Sequence, residues 1–320
     1  MKAAVLHELG KPPKFEECEE PQADDGEVLV RVRAAGLKPV DRQLASGTHF
    51  ASPKELPVVC GTDGVGEVAD GTRVFFGGCR FPFGAMAERT VVPRVFCFPL
   101  PSGIQDDTAA ALGNPGVSAW ISLTHRAKLE RGETVLILGA TGVTGQLAVQ
   151  IAKLLGATRV IGVGRNERLL ATLGELGADA TIQLDQAPDT LKEAYLSEMA
   201  IAGFDVILDY LWGEPTEALL SAMTKGEFAV AERETRLVQC GESAGSSIKL
   251  PAAVLRSAMI TILGTGGIPS REVLHTAMNT VMEAGARGEL RMDTQRVALA
   301  EIGSVWKRRR VSGRRVVVVP

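Results

Sequence analysis

The sequence predicts an α/β protein in which a doubly wound parallel sheet is inserted into a smaller, β-rich domain. Three observations predict it. The first third consists of short alternating runs bounded by Gly and Pro. From about residue 116 short β-branched runs alternate with amphipathic stretches, the texture of βαβ units. Beyond about 268 come two helical patterns and a last strand. The boundaries that follow are 1–115 for the first part of the β-rich domain, 116–267 for the parallel sheet and 268–320 for the return. A chain of 320 residues is long enough for two cores.

The elements can be read in order. VLVRVRA (28–34) alternates apolar and polar residues, the period of a half-buried strand. Six runs then follow as candidate parallel strands: TVLIL (134–138), RVIGV (159–163), ATIQL (180–184), DVILD (205–209), RLVQC (236–240) and MITIL (259–263). Between the first two, GVTGQLAVQIAKLLG predicts a helix with Leu147, Ile151, Leu154 and Leu155 on one face and Gly156 as its stop. RRVVVVP (314–320) predicts the last strand. There is no internal repeat and no low-complexity linker, so the domains are expected to pack directly against each other.

The sharpest local signal is TVLIL-Gly139-Ala140-Thr141-Gly142-Val143-Thr144-Gly145, a strand running into a glycine-spaced turn that opens a helix. Gly139 permits the tight turn, Gly142 lets backbone N–H groups approach a pyrophosphate, and Gly145 allows close helix–strand packing. This is a Rossmann-type dinucleotide cradle, with the helix dipole favouring the anion. A unit that binds NAD carries an acidic residue at the end of the next strand, to hold the ribose hydroxyls. Here that strand ends Val163-Gly164-Arg165-Asn166. A guanidinium in place of a carboxylate suits a 2′-phosphate, and NADPH is the expected cofactor. The alternative is that Arg165 is a solvated cation beside Glu167, with Arg168 a second candidate for the phosphate.

Composition narrows the partners. The formal charge is −3 and aromatics make up 5% of residues, so neither a nucleic acid nor an anionic membrane is favoured. His7-Glu8 interrupts the apolar opening before a leader could form, and no run nears the roughly 18 apolar residues that span a bilayer. A cytoplasmic protein with a small-molecule partner is expected. Cys18, Cys60, Cys79, Cys97 and Cys240 contain no C-x-x-C pair and read as buried thiols.

With these residues placed, the chain resembles the medium-chain dehydrogenase/reductase superfamily, and within it the zinc-free quinone oxidoreductase and enoyl reductase branch. The resemblance rests on MKAAVLHELG, AAGLKPVDRQLASG (34–47), LPVVCGTDGVGEV (56–68), FGAMAERTVVP (83–93), AALGNPGVSAW (110–120) and the glycine turn. It implies that the β-rich domain is GroES-like. At the places where zinc-dependent relatives hold their metal, this chain has Lys38, Thr62 and Asn114, none a good zinc ligand. No metal is expected.

Without zinc, charge that builds on the acceptor's oxygen needs another donor. Lys38, with a mobile ammonium, is the candidate, and the catalytic set read from the resemblance is Lys38, Asp41 and Asn114. The alternative for Lys38 is a salt bridge to Asp41, with Pro39 starting a short helix between them. The only tyrosines, Tyr195 and Tyr210, both fall in the cofactor half, so no tyrosine acid is available in the substrate domain. The resemblance further implies cofactor contacts from Ser118, Tyr210, Cys240, Gly241, Gly264 and Thr265, besides the glycine turn and Gly164 to Asn166. The implied activity is NADPH-dependent reduction of a quinone or α,β-unsaturated carbonyl, in a homodimer paired through MITILGT (259–265). Two alternatives stand beside it: an NADPH-binding sensor, structural or partner protein without turnover, and an RNA-binding relative that uses the basic run Lys307-Arg308-Arg309-Arg310 with Arg314 and Arg315.

Overall fold

The computed structural model describes residues 1–224, 233–267, 270–308 and 313–320. The chain opens with strands β1 (Lys2–Leu6), β2 (Lys14–Glu17) and β3 (Glu27–Leu37), helix α1 (Pro39–Ser46), then β4 (Val58–Val59), β5 (Asp63–Glu67), β6 (Arg73–Gly77), β7 (Arg89–Pro93) and β8 (Cys97–Pro99). Helix α2 (Asp106–Ile121) runs on into a π-helical turn, Ser122–Arg126. There follow β9 (Thr134–Leu138), α3 (Val143–Leu154), β10 (Arg159–Gly164), α4 (Glu167–Thr172), β11 (Ala180–Gln183), α5 (Pro188–Ala202), β12 (Val206–Asp209), α6 (Glu214–Met223), β13 (Thr235–Gln239), α7 (Ala252–Ser257) and β14 (Ile260–Gly264). The chain ends in α8 (Arg271–Ala286), β15 (Thr294–Ala298), α9 (Ile302–Lys307) and β16 (Arg315–Val319). Two units result, Met1–Asn114 with His275–Pro320, and Pro115–Leu274.

In the first unit a three-stranded antiparallel sheet has the order β2-β1-β4, and a larger sheet runs β15-β16-β3-β5-β6-β8, with β7 also paired to β3. Alternation explains β3: Val28, Val30 and Val32 are buried while Leu29 and Arg31 face out. The strand continues past residue 34 because Ala34, Ala35 and Leu37 are buried as well. β15 was not anticipated: TQRVA is short and polar, and its pairing is parallel to β16 at the far end of the chain.

In the second unit six parallel strands take the order β11-β10-β9-β12-β13-β14, the doubly wound arrangement. Every residue of the central β9 is buried, as expected of a strand covered on both faces. The six strands fall within one residue of the runs read from sequence. In α3, Leu147 and Ile151 are fully buried, but Leu154 is 42% exposed and Leu155 half-buried. The buried stripe is completed by Ala148 and Ala152 instead, because the helix ends at Leu154 and Gly156 (φ 92°) turns the chain away. Of the five cysteines, only Cys60 is fully buried, and the other four are half-buried. Among the described residues no helix is long and apolar enough to cross a membrane.

Asp106 ties the start of α2 to the sheet, accepting hydrogen bonds from Arg33 Nε (2.6 Å) and Arg73 Nε (3.0 Å). Burial alone would raise its carboxyl, but the two guanidiniums outweigh burial and hold it below its ordinary 3.8. A carboxyl lowered by folding contributes stability above its unfolded pKa and loses it as pH falls through the folded value. Asp106→Asn is therefore expected to cost about 1 kcal/mol at neutral pH, given partial exposure. Urea titrations should show that difference vanishing in strong acid.

Candidate functional site

The glycine turn closes as its sequence requires. Gly139 lies at φ 86°, and Gly139 and Ala140 both donate to the Val163 carbonyl at 2.9 Å, locking the turn to β10. A Cβ at Gly145 would stand 2.3 Å from the Gly139 carbonyl oxygen and 2.6 Å from Ala140 Cα, so α3 could not approach β9 with any other residue there. Gly142 opens the helix. Its own N–H is taken up by the Gly139 carbonyl (2.9 Å), and it is the N-cap of α3, without a side-chain cap. The N–H groups of Val143, Thr144 and Gly145 lie ahead of the first intrahelical bond, from Gln146 to the Gly142 carbonyl (2.9 Å). These three are the groups an anion would meet.

At the end of β10 a Cβ on Gly164 would collide with Thr141 Cγ2 (2.5 Å) and Oγ1 (2.7 Å), so the missing side chain makes room for the turn. Arg165 follows, exposed, its carbonyl held by Gln183 Nε2 (2.9 Å). Asn166 caps α4, its Oδ1 accepting from the Leu169 N–H (3.1 Å). Its side chain thus has a structural use that the reading of it as a cofactor contact did not foresee.

The ends of β12, β13 and β14 lie along the same carboxyl edge of the sheet. Asp209, fully buried, accepts from the N–H groups of Leu211 (2.8 Å) and Trp212 (2.9 Å) and from Thr216 Oγ1 (2.5 Å), and so shapes the chain through Tyr210. Burial pushes its carboxyl up against those bonds. The reading of the sequence missed this residue, although an Asp ending a strand before an irregular turn is a recognisable signal. The Tyr210 hydroxyl is buried without a partner, and burial holds it protonated, well above 10.0. Cys240 Sγ lies 3.6 Å from Ser122 Oγ and 3.3 Å from the Val238 carbonyl, and burial raises its thiol to about 12. Gly241 and Thr265 are half-buried, Gly264 exposed. On α2, Asn114 is exposed and Ser118 half-buried, one helical turn apart.

Lys38 is not mobile. Its side chain is 2% exposed, and Nζ donates to the Gly36 carbonyl (2.9 Å) and Asp63 Oδ1 (2.9 Å), with Asp41 Oδ2 at 3.5 Å. Burial would lower the ammonium, but Asp41 and Asp63 outweigh burial and raise it. Asp41 Oδ2 accepts from the Lys38 N–H (2.7 Å) at the start of α1, and Oδ1 from the N–H and Oγ1 of Thr62 (both 3.1 Å). Pro39 is the first residue of that helix, as expected. Arg315 completes the group, donating through Nη1 to the Leu37 carbonyl (3.0 Å). It is only 5% exposed and therefore not part of a basic surface. Of the rest of that run, Lys307 and Arg308 are exposed, Arg314 faces Asp293 (3.5 Å), and Arg309 and Arg310 lie outside the described residues. Asp63 and Arg315 went unseen in sequence because their partners are 25 residues away and at the opposite end of the chain.

Comparison with known proteins places this geometry. Residues 24–102 match the family model described as the alcohol dehydrogenase GroES-like domain, and residues 143–281 the one described as zinc-binding dehydrogenase. A probable NADPH-dependent quinone reductase of Emericella nidulans is 29% identical over 362 residues, spanning all of both chains. The chain belongs to the medium-chain dehydrogenase/reductase superfamily. Within this superfamily it falls in the quinone oxidoreductase branch. The quinone oxidoreductase of Rattus norvegicus is 31% identical over 224 residues, 66% of each chain. The quinone oxidoreductase of Thermus thermophilus, solved alone and with NADPH, superposes with a TM-score of 0.82 at 29% identity over all of both chains.

Two outcomes are expected of this geometry. Lys38→Ala leaves Asp41 and Asp63 buried without their cation and should cost about 3–5 kcal/mol, read as a lower urea midpoint; a solvent-facing lysine would leave the midpoint unchanged. Gly145→Ala forces α3 away from the turn and should cost about 1–3 kcal/mol, with weaker nucleotide binding in a fluorescence titration.

Proposed function

We propose that the protein is an NADPH-dependent oxidoreductase that reduces a quinone or an α,β-unsaturated carbonyl without zinc. The observation that carries the reading is the uncapped start of α3 beside a strand that ends in Gly164-Arg165. Relatives named as quinone reductases over the full length of the chain support it.

The residues fit the cofactor. The N–H groups of Val143, Thr144 and Gly145 would hold the pyrophosphate, with Gly139, Thr141 and Gly142 forming the turn beneath it. Arg165 would take the 2′-phosphate, and nothing acidic ends β10 to repel it. The buried, partnerless hydroxyl of Tyr210 and the ends of β13 and β14, at Cys240, Gly241, Gly264 and Thr265, would complete the site with Ser118. When bound, NADPH supplies a hydride to the acceptor.

Lys38 and Asp41 act in this reading as a fixed charge framework and not as acid and base. The ammonium already faces two carboxylates and a carbonyl, so the acceptor's proton comes from solvent. The same contacts argue against zinc, because a cation already neutralises Asp63 next to Thr62 and at the place of a ligand. Edge strand β14 is the surface proposed for pairing in a homodimer, which size-exclusion chromatography would detect.

Purified protein should oxidise NADPH when offered a quinone, a 2-alkenal or an enoyl thioester, with at least one of them turned over. Tight NADPH binding with none turned over would favour the sensor or partner reading. Arg165→Ala should raise KM for NADPH about tenfold or more and leave KM for NADH nearly unchanged. Equal changes for both nucleotides would remove Arg165 from the phosphate site.

A further inference from the structure

The loop that leaves β14 carries three glycines, Gly264, Gly266 and Gly267, around Thr265. A Cβ built on any of the three would meet nothing within 4 Å, and Gly267 sits at φ 78°. Glycine loses more freedom on ordering than any other residue, so a stretch of this kind needs an anchor to hold one shape. One cation supplies it. Arg126 Nη2 donates to the Gly266 carbonyl at 2.8 Å and to the Gly267 carbonyl at 3.3 Å.

Arg126 is itself held firmly. It ends the π-helical turn Ser122–Arg126, where Ala127 N–H bonds to the Ser122 carbonyl (2.9 Å) and Leu129 N–H to that of Leu123 (2.9 Å). Ser122, Leu123 and Ala127 are at most 1% exposed. From β13, Arg236 Nη1 donates to the carbonyls of Ala127 (2.6 Å) and Lys128 (3.1 Å), and its Nη2 pairs with Glu133. The same turn reaches Cys240 through Ser122 (3.6 Å). The extra residue that makes the turn π-helical is thus set where one buried segment meets the chain beyond both β13 and β14. The Nε of Arg126 is buried without a partner while the Nη2 that grips the loop reaches the surface, so the stem of the guanidinium is fixed in the protein and its far end holds the two carbonyls.

We infer that Arg126 is a positioning residue: from the π-helical turn it holds the Gly264–Gly267 loop in the shape that receives the cofactor. The inference rests on the NADPH-dependent reading. Arg126 touches no reacting atom; it removes in advance the ordering that binding would otherwise have to impose on the loop.

The test uses the full chain with Arg126→Ala and Arg126→Lys. In the nucleotide-free protein, backbone 15N order parameters at Thr265, Gly266 and Gly267 should fall from the rigid value of about 0.85 to below about 0.6 in Arg126→Ala, while those of β9 and β12 stay unchanged. Kd and KM for NADPH should rise about tenfold or more, with KM for the acceptor unchanged. Added guanidinium ion at millimolar concentration, or Arg126→Lys, should restore part of the affinity. Unchanged loop order parameters in Arg126→Ala would overturn the inference, as would an affinity loss that neither guanidinium nor Lys recovers. Wild-type protein that binds no NADPH would instead defeat the proposed function, leaving the order parameters to judge Arg126 as a loop anchor alone.

Discussion

The close approach of α3 to the turn after β9 is the constraint on which the second unit depends. A Gly145 Cβ would lie 2.3 Å from a backbone oxygen, so helix and strand touch through a gap that only glycine leaves. That contact aims the helix axis at the carboxyl edge of the sheet, and it brings three N–H groups there without a side-chain cap. The neighbouring strand is bound into the same arrangement, since Val163 accepts both N–H groups of the turn and Gly164 leaves space for Thr141. At the next residue Arg165 stands in place of a carboxylate, and it is the residue proposed to set the nucleotide preference.

The first unit is organised by charge. Lys38, Arg315, Asp41 and Asp63 place two cations and two carboxylates where almost no water reaches, and each is tied to backbone or to another member of the group. Charges buried in this way are held by mutual pairing, and removal of one leaves the others uncompensated. The group joins the junction of β3 and α1 to the start of β5 and the start of β16, three places far apart in the chain. Lys38, which reads in isolation as a mobile donor, is held by two carboxylates and a carbonyl.

The parts of the fold with short-range causes were legible in the sequence. Six parallel strands follow from six apolar runs, and the turn after β9 from glycines at fixed spacing, because both depend on residues a few positions apart. Long-range pairing was not legible. Nothing local marks Asp63 or Arg315 as partners of Lys38, and Arg315 sits in a run of cations that reads as surface. β15 escaped because its residues are polar and its stability comes from β16. The π-helical turn escaped because one additional residue leaves the apolar period of α2 almost unchanged. Leu154 was misplaced for a related reason: periodicity assigns a face but does not say at which residue the helix stops.

A crystal structure of the NADPH complex would test the central claim most directly. The account predicts pyrophosphate oxygens within hydrogen-bond distance of the N–H groups of Val143, Thr144 and Gly145, with the 2′-phosphate against Arg165. Nucleotide bound elsewhere on the chain, or bound at α3 with the 2′-phosphate turned away from Arg165 into solvent, would contradict it.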